Sequence, residues 1–277
     1  MSGTSSRPAP HPALTGPPLG LAHRGFTPPG PGRDGHAWEN TLPAFQAARA
    51  TGLRHLELDV HTTRDGVCAV VHDPHLRRVA GVDARVRDLA WDQVSRIRVG
   101  GGHPVPRLEE VLDAIPDAVL NVDCKTSATV APLIAALRAR PVGDRERVIV
   151  ASFDGRRSAA VARAVPGVAR SAGTAGALGA RLAAALPGTA LPRLLAGWAV
   201  RGVQALQVPE RQGRLRVVTP RLVELAHDAG LQVHVWVVDD PADMHRLLDL
   251  GVDGLVTDRA DLLSAVLADR RRRDDGA

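Results

Sequence analysis

The feature that most constrains the fold of this 277-residue chain is a regular alternation of short apolar segments with helical ones. The apolar segments have the length of buried strands, and the segments between them carry helix signals such as Pro in the first turn. Predicted strands cover residues 19–23, 53–60, 118–123, 147–152, 168–171, 204–208, 232–237 and 254–257. Eight such strands, each followed by a helix, predict an α/β fold of the (β/α)8 TIM-barrel type.

An open, doubly wound sheet is the alternative arrangement for the same alternation. The chain has neither a G-x-G-x-x-G fingerprint nor a P-loop Gly-Lys pair, because its only lysine is Lys125. A small hairpin insertion with a turn at Asp65-Gly66 is expected after the second strand. Residues 74–104 are predicted to be polar and irregular.

The two ends of the chain differ in composition from the part between them. Residues 1–18 are rich in Pro, Ser and Thr, so we expect a disordered tail rather than a signal peptide or a membrane anchor. Four consecutive arginines at 270–273 indicate a charged tail over residues 269–277. One domain is therefore expected over residues 19–268, and the absence of a visible secretion signal predicts a cytoplasmic protein.

The charge of the chain favours small anionic ligands over nucleic acid. The net charge is +5, but the arginines that produce it are scattered along the sequence. Aromatic residues make up 3% and Tyr is absent, which excludes a Tyr nucleophile and disfavours a stacking platform for single strands. No apolar run reaches the ~20 residues of a membrane span, so no stable membrane insertion is expected. The oligomeric state is left open.

Two acids stand on the second predicted strand, within the segment HLELDVHTTRDGVCAVVHD at 55–73. Glu57 and Asp59 are two residues apart, so in a strand they point to the same face. Burying two such carboxylates is costly unless a cation lies between them, whereas on an edge strand both would be solvated. The apolar residues that alternate with them favour burial, and hence a divalent metal ion with His72 beside it.

The carboxyl ends of the predicted strands carry polar residues, and in a TIM barrel these ends meet at the active site. They are His23, Arg24, Glu57, Asp59, Asp123, Lys125, Ser152, Gln207, Trp236 and Asp258. Asp123 is a candidate third carboxylate, and a set of oxygen ligands suits Mg²⁺ or Ca²⁺. Lys125 is either a compact point charge facing the same way or a surface residue.

Two histidines and two cations accompany the acids. His23 and His72 end different strands, so they could flank one substrate as general acid and general base, although either one alone is more often structural. Arg24 offers a planar fork for phosphate oxygens. Together with a metal ion, this set favours cleavage of a phosphodiester.

The order of these residues resembles the glycerophosphodiester phosphodiesterase family over about residues 19–262. The motifs that carry the resemblance are His23-Arg24-Gly25, Glu39-Asn40-Thr41, Glu57-Leu58-Asp59-Val60, Asp65-Gly66, Val71-His72-Asp73, Leu76-x-Arg78, Pro106-x-Leu108-Glu109-Glu110, Asp123-x-Lys125, Trp236-x-Val238-Asp239 and Gly251-Val252-Asp253-Gly254-Leu255-Val256-Thr257-Asp258.

The resemblance implies a (β/α)8 barrel that hydrolyses glycerophosphodiesters to sn-glycerol 3-phosphate and an alcohol with the help of a divalent metal ion. It implies that a free glycerol hydroxyl attacks phosphorus and gives a cyclic phosphate that water then opens. The implied roles are acid–base catalysis for His23 and His72, metal binding for Glu57, Asp59 and Asp123, and substrate or phosphate binding for Arg24, Lys125, Glu39 and Trp236.

The chain departs from the family pattern at three places. Asp123 stands where members of the family usually have Glu, so the carboxylate is one methylene shorter and the preferred metal could differ. Trp236-Val237-Val238-Asp239 replaces a frequent Trp-Thr-Val-Asn, and Arg107 replaces the Thr of Pro-Thr-Leu-Glu-Glu.

Two competing functions remain at this point. A lysophospholipase D-like relative on the same barrel would need an apolar face to meet lipid, and the sequence indicates no exposed aromatic patch. A non-catalytic phosphate-binding barrel would be expected to have lost one of the histidines or acids, and all are present.

Overall fold

Eight parallel strands form the wall of a barrel in the computed structural model, which describes residues 11–16, 18–30, 37–188 and 190–275. In chain order they are β1 (Leu19–Ala22), β2 (His55–Thr62), β3 (Val119–Cys124), β4 (Val148–Ala151), β5 (Ala169–Arg170), β6 (Ala205–Pro209), β7 (Gln232–Trp236) and β8 (Gly254–Thr257). Their order around the wall is β5-β4-β3-β2-β1-β8-β7-β6. A single parallel bridge between Ser171 and Ala205 brings β5 beside β6 and nearly closes the barrel. The predicted (β/α)8 fold is confirmed.

Helices connect the strands and cover the outside of the barrel. The α-helices are α1 (Leu42–Ala50), α2 (Arg77–Ala80), α3 (Trp91–Val94), α4 (Leu108–Ala114), α5 (Val130–Arg138), α6 (Val142–Glu146), α7 (Gly155–Ala164), α8 (Thr174–Ala183), α9 (Ala190–Ala199), α10 (Pro220–Asp228), α11 (Pro241–Asp249) and α12 (Ala260–Asp275). Short 3₁₀ turns lie at Pro12–Leu14, Val86–Asp88, Gly100–Gly102 and Ser127–Thr129.

Side-chain caps begin the helices that follow several strands. The Thr41 hydroxyl accepts a hydrogen bond from the Ala44 amide at 3.3 Å, and Pro43 occupies the first turn of α1. Thr219 caps α10 in the same way. Such caps satisfy amides that have no partner within the helix, so they fix where each helix begins behind its strand.

The segment between β2 and α4 is more ordered than its polar sequence suggests. Residues Cys68–Val70 pair antiparallel with the end of β2, which gives the expected small hairpin. A second hairpin joins Arg98–Val99 to His103–Pro104. The prediction that residues 74–104 are irregular was wrong in part, because buried apolar side chains hold this segment in a cluster of its own: Ala69, Val71, Leu76, Val86, Val94, Val99 and Val105.

Described structure continues beyond residues 19 and 268, the predicted limits of the domain, at both ends. Ala13 and Leu14 are buried, and their carbonyl oxygens accept hydrogen bonds from His55 Nε2 at 3.0 Å and Gln232 Nε2 at 2.7 Å. Residues 1–10 of the predicted tail lie outside the described residues. At the other end, α12 continues to Asp275, and Arg273 pairs with Asp269 one turn earlier at 2.6 Å.

A buried polar layer crosses the interior of the barrel. The His234 ring accepts a hydrogen bond at Nδ1 from Gln207 Nε2 (3.2 Å), and its Nε2–H donates to Gln232 Oε1 (3.0 Å). Gln207 Nε2 also donates to Asn121 Oδ1 at 3.0 Å. A Cβ at Gly254 would lie 2.9 Å from the His234 ring, so the absence of a side chain there leaves room for it. Burial lowers the pKa of His234 to about 3, which keeps the ring neutral.

Candidate active site

A cavity of about 430 Å³ opens at the carboxyl ends of the strands. Eight of the nine residues that the sequence nominates for the site line it: His23, Arg24, Glu57, Asp59, His72, Asp123, Lys125 and Trp236. The ninth, Glu39, lies behind Arg24 and does not line the cavity. Ser152 and Gln207, also noted at strand ends, belong to the lining.

The three carboxylates come from adjacent strands. Asp59 on β2 is level with Asp123 on β3, which brings the two side chains together. Lys125 Nζ lies 2.6 Å from Asp59 Oδ1 and 2.6 Å from Asp123 Oδ2, so its ammonium group bridges them. Glu57 accepts a hydrogen bond from the Arg24 amide at 3.1 Å. The other oxygen of Asp123, Oδ1, is buried and has no hydrogen-bond partner.

The pKa values of these acids indicate a shortage of positive charge. Burial, followed by the nearby charge of Asp59, raises the pKa of Glu57 to about 8. Burial also raises the pKa of Asp123, against the opposing effect of Lys125. For Asp59 burial acts in the same direction, but Lys125 and Arg24 outweigh it and lower the pKa. Burial thus opposes ionisation of Glu57 and Asp123, and a further cation beside them would favour it.

A divalent metal ion suits these donors by chemistry. The donor set consists of carboxylate oxygens, which hard cations prefer, and the partnerless Asp123 Oδ1 is a donor available to such an ion. Within the described part of the chain, however, no three His, Cys, Asp or Glu side chains converge closely enough to hold a metal ion. The Lys125 ammonium occupies the space between two of the predicted ligands.

Each candidate catalytic histidine has an aspartate at its Nδ1 atom. His23 lies 2.7 Å from Asp258 Oδ1, and His72 lies 2.7 Å from Asp73 Oδ1. These contacts orient both rings and direct proton exchange with a substrate to Nε2. Burial alone would lower the pKa of His23, but the Asp258 hydrogen bond and the charge of Glu57 outweigh it, so the pKa is raised.

Two residues with positive φ shape the turn behind the carboxylates. Arg24 has φ of 55° and Asn40 has φ of 58°, a region that side chains other than glycine adopt uncommonly. Asn40 Nδ2 donates to Asp59 Oδ2 at 2.8 Å, and the Asp59 amide donates to Asn40 Oδ1 at 3.2 Å. Arg24 Nε forms an ion pair with Asp59 Oδ2 at 3.2 Å. Asn40 therefore positions a predicted metal ligand, a role that sequence reasoning missed.

A chain of ion pairs links this turn to His72. Glu39 lies 3.4 Å from Arg24 Nη1 and 2.5 Å from Arg78 Nη2. Arg78 Nε in turn donates to Asp73 Oδ2 at 2.6 Å, and Asp73 holds His72. Glu39 thus supports both Arg24 and the histidine from outside the cavity. The roles of Asp73 and Arg78 were not assigned from sequence, although both residues stand within the motifs quoted above.

One wall of the cavity is apolar and open to solvent. Phe153 and Trp236 meet edge to face with ring centroids 6.1 Å apart, and both line the cavity. Phe153 is 62% exposed, and Val237 beside it is also exposed. The sequence indicated no exposed aromatic patch, and the exposure of Phe153 in its strand-end loop was not predicted.

A barrel with paired histidines and clustered carboxylates at this end is the arrangement of a phosphodiesterase-type site, and comparison with known proteins identifies the family. The chain belongs to the glycerophosphoryl diester phosphodiesterase family, whose model matches residues 23–262. A Mycobacterium tuberculosis protein named "Probable glycerophosphodiester phosphodiesterase 2" is 40% identical over 257 residues, which cover 92% of this chain and 93% of that protein.

Two further comparisons bear on fold and substrate. A crystal structure of glycerophosphodiester phosphodiesterase from Agrobacterium tumefaciens superposes with a TM-score of 0.71 at 25% identity, covering 90% of this chain and 99% of that one. A human protein named lysophospholipase D GDPD1 is 34% identical over 123 residues, which cover 40% of this chain and 37% of that protein. Among the described residues, no helix is both long and apolar enough to span a bilayer.

Proposed function

We propose that the protein hydrolyses glycerophosphodiesters to sn-glycerol 3-phosphate and an alcohol. The observation that carries this proposal is that two aspartate-held histidines, a cationic pair and three carboxylates line one cavity of a barrel from this family. The cavity volume of about 430 Å³ suits a small diester.

His23 and His72 move the protons in this proposal. One ring accepts the proton of the glycerol hydroxyl as its oxygen attacks phosphorus. The other ring donates a proton to the alcohol oxygen as its bond to phosphorus breaks. Water then opens the resulting cyclic phosphate with the two roles reversed. Asp258 and Asp73 support the exchange, because each holds the Nδ1 atom of its histidine and leaves Nε2 for the substrate.

Arg24 and Lys125 act on the phosphate. Both line the cavity next to the carboxylates, so they can neutralise phosphoryl oxygens as negative charge grows in the transition state. Glu39 keeps Arg24 in place, and Trp236 offers an apolar surface to the glycerol or the alcohol.

Glu57, Asp59 and Asp123 are the residues that would hold Mg²⁺ or Ca²⁺, and such an ion supplies charge neutralisation at the phosphate. The partnerless Asp123 Oδ1 supports this assignment. Because Lys125 bridges two of these acids, we expect the ammonium group and the ion to share the carboxylates rather than to bind them independently.

The test is release of glycerol 3-phosphate from glycerophosphocholine by the purified protein with Mg²⁺, with Ca²⁺ or with EDTA. We expect metal-dependent release that His23→Ala and His72→Ala each reduce by about 10³-fold, the size of a lost acid–base catalyst. His75→Ala is the matched control, since His75 pairs with Asp83 and does not line the cavity. Release unaffected by EDTA, or by both cavity substitutions, would refute the proposed chemistry. Absence of turnover on any diester would favour a phosphate-binding protein.

A second candidate substrate class is lysophospholipids. The exposed Phe153–Trp236 wall favours it, since an acyl chain would need an apolar path out of the cavity. Choline release from lysophosphatidylcholine tests this candidate. A Phe153→Ser variant that loses this activity but keeps glycerophosphocholine hydrolysis would establish the lipid path, and equal losses on both substrates would exclude it.

A further inference from the structure

Six exposed leucines cover the outside of the helical hairpin formed by α8 and α9. They are between 40% and 70% exposed, and we call them the leucine surface: Leu178, Leu182, Leu186, Leu191, Leu194 and Leu195. Leu178 and Leu182 lie four residues apart on α8, which places them on one side of the helix, and Leu186 follows at the same interval. Large apolar side chains exposed together in this way often mark an interaction site. In the rest of the described chain, the large hydrophobic side chains exposed to this degree are Val142, Phe153 and Leu215.

The hairpin packs on the barrel with its small residues rather than its leucines. Ala183 and Ala196 are buried against Leu225 of α10. The two helices also approach closely, because a Cβ at Gly179 would lie 2.8 Å from the Cβ of Ala199. Amphipathic helices on a protein surface normally place their large apolar side chains inward. Here the leucines face solvent, so the packing of the barrel does not account for them.

The turn of the hairpin lies at the active-site end of the barrel. Arg221, in the first turn of α10, donates to the Gly188 carbonyl oxygen at 2.6 Å. Because α10 begins after the carboxyl end of β6, that contact holds the turn near the mouth of the cavity. Thr174 and Ala177, at the start of α8, line the cavity itself. The helix that carries two of the leucines therefore begins at the wall of the cavity.

Exposed arginines adjoin the leucine surface. A short hairpin after β6 pairs Arg211–Gln212 with Leu215–Arg216, and Gln212 lines the cavity. Arg181 of α8 donates to the Arg216 carbonyl oxygen at 3.2 Å, which joins this hairpin to the leucine-bearing helix. We call Arg211, Arg214 and Arg216 the arginine hairpin; they are exposed, and none of them forms an ion pair with an acid in the described residues.

We propose that the leucine surface and the arginine hairpin dock the protein on a membrane surface that contains anionic phospholipid. The leucines would enter the boundary between headgroups and acyl chains, while the arginines contact lipid phosphates. A second copy of the chain fits this surface less well, because a two-fold contact would bring the arginines of both copies together. Docking would hold the cavity mouth beside the lipids whose deacylation yields glycerophosphodiesters, and this benefit rests on the proposed function.

The test is co-sedimentation of the full protein with vesicles of phosphatidylcholine containing 30% phosphatidylglycerol, and with vesicles of phosphatidylcholine alone. We expect binding to the anionic vesicles. Leu182→Asp combined with Leu194→Asp should weaken it about 100-fold, since two leucines that docking would bury in the membrane are lost. Val142→Asp is the matched control, because Val142 is 57% exposed and lies on α6, away from the hairpin. Hydrolysis of soluble glycerophosphocholine should not change in any of these variants.

Arginine substitutions test the charge contribution. Arg211→Gln combined with Arg214→Gln should weaken binding by roughly tenfold or more at low salt. The control removes two charges elsewhere, with Arg271→Gln and Arg272→Gln near the end of α12. An equal loss of vesicle binding in that control would mean that the net positive charge of the protein, rather than the arginine hairpin, attracts the vesicles. That result would overturn the proposal.

Three other outcomes would overturn it: no binding to anionic vesicles, a loss in Val142→Asp as large as in the leucine variant, or a dimer in sedimentation equilibrium that the leucine substitutions dissolve. His72→Ala separates this inference from the proposed function. If that variant still binds vesicles but has lost turnover, both the membrane docking and the proposed function are supported. If the wild-type protein binds vesicles but cleaves no diester, only the proposed function is refuted.

Discussion

The amino and carboxyl ends of the barrel use buried polar residues in opposite ways, although the same strands supply them. At the amino end and in the interior layer below the cavity, His55 and His234 are neutral, with pKa values that burial lowers to about 4 and about 3. Both rings have hydrogen-bond partners there. At the carboxyl end, only two residues along β2 from His55, Glu57 is a buried acid whose pKa is raised to about 8. Asp123 keeps an oxygen without any partner.

This difference separates stabilisation from ligand binding. A neutral group with complete hydrogen bonds contributes to the fold, since its desolvation is compensated. A buried carboxylate without a full set of partners weakens the fold, and such groups are retained where a ligand completes them. We therefore propose that the carboxyl end binds a cation and a phosphate, whereas the buried histidines contribute to stability.

The largest expected effect follows from removal of the charge that joins two of the acids. Lys125→Gln would leave Asp59 and Asp123 buried without their shared ammonium group. We expect the free energy of unfolding to fall by about 3–5 kcal/mol, the range for a broken buried ion pair. Urea unfolding at pH 7.5 in EDTA measures it. A loss below about 1 kcal/mol would show that Lys125 does not hold the carboxyl end together.

The amino end should lose stability in acid. His234 has a pKa of about 3 in the folded protein and an ordinary value of 6.5 when unfolded. Its contribution is complete above pH 6.5 and declines as the pH falls, because only the unfolded state takes up the proton. Between pH 7 and pH 4.5 this difference amounts to about 2–3 kcal/mol.

The variant His234→Gln isolates that contribution. It cannot be protonated, so the decline in its free energy of unfolding over the same pH range should be smaller than that of the wild type. His245→Gln, on the outer helix α11, is the control and should keep the wild-type decline. Equal slopes in all three proteins would contradict the assignment of a neutral, buried ring.

The smallest expected effect is a gain in stability at the carboxyl end. Below pH 4.5, the ordinary pKa of a glutamate, the Glu57 side chain is protonated in both the folded and the unfolded state. As the pH rises towards about 8, only the unfolded state releases this proton readily, so the free energy of unfolding falls. Glu57→Gln should therefore raise the free energy of unfolding by about 1–2 kcal/mol at pH 8 in EDTA, with little change at pH 4.5. The same variant should lose hydrolysis. A destabilised variant at pH 8 would mean that Glu57 is well accommodated without a ligand.

Much of the fold could be predicted from the sequence, because each barrel strand is a short apolar run next to a helix signal. β3 was expected at 118–123 and lies at Val119–Cys124. The cluster around Leu76 and Val94 was not predicted, since its members come from turns and short helices without a regular period. The packing of Ala13 and Leu14 under the barrel depends on contacts with His55 and Gln232, which sequence spacing cannot indicate.

Most residues that line the cavity could be nominated from the sequence, but the contacts among them could not. Strand ends and motifs were enough to nominate Glu57, Asp59 and His72, because a barrel brings all strand ends together. The contact between His23 and Asp258 joins residues 235 positions apart, so it became visible only in three dimensions. The outward position of the leucines on α8 and α9 could not be predicted, because composition does not tell which face a helix buries.

The most direct test of the division between the two ends measures turnover and stability together in two variants. For His72→Ala, we expect kcat/KM for glycerophosphocholine to fall about 10³-fold, while the free energy of unfolding stays within about 0.5 kcal/mol of wild type. For His234→Gln we expect the reverse, with kcat/KM within about threefold of wild type and a loss of about 1–3 kcal/mol in stability at pH 7.5. If both variants lost both turnover and stability, or if His72→Ala left turnover unchanged, the division between catalytic and stabilising histidines would be contradicted.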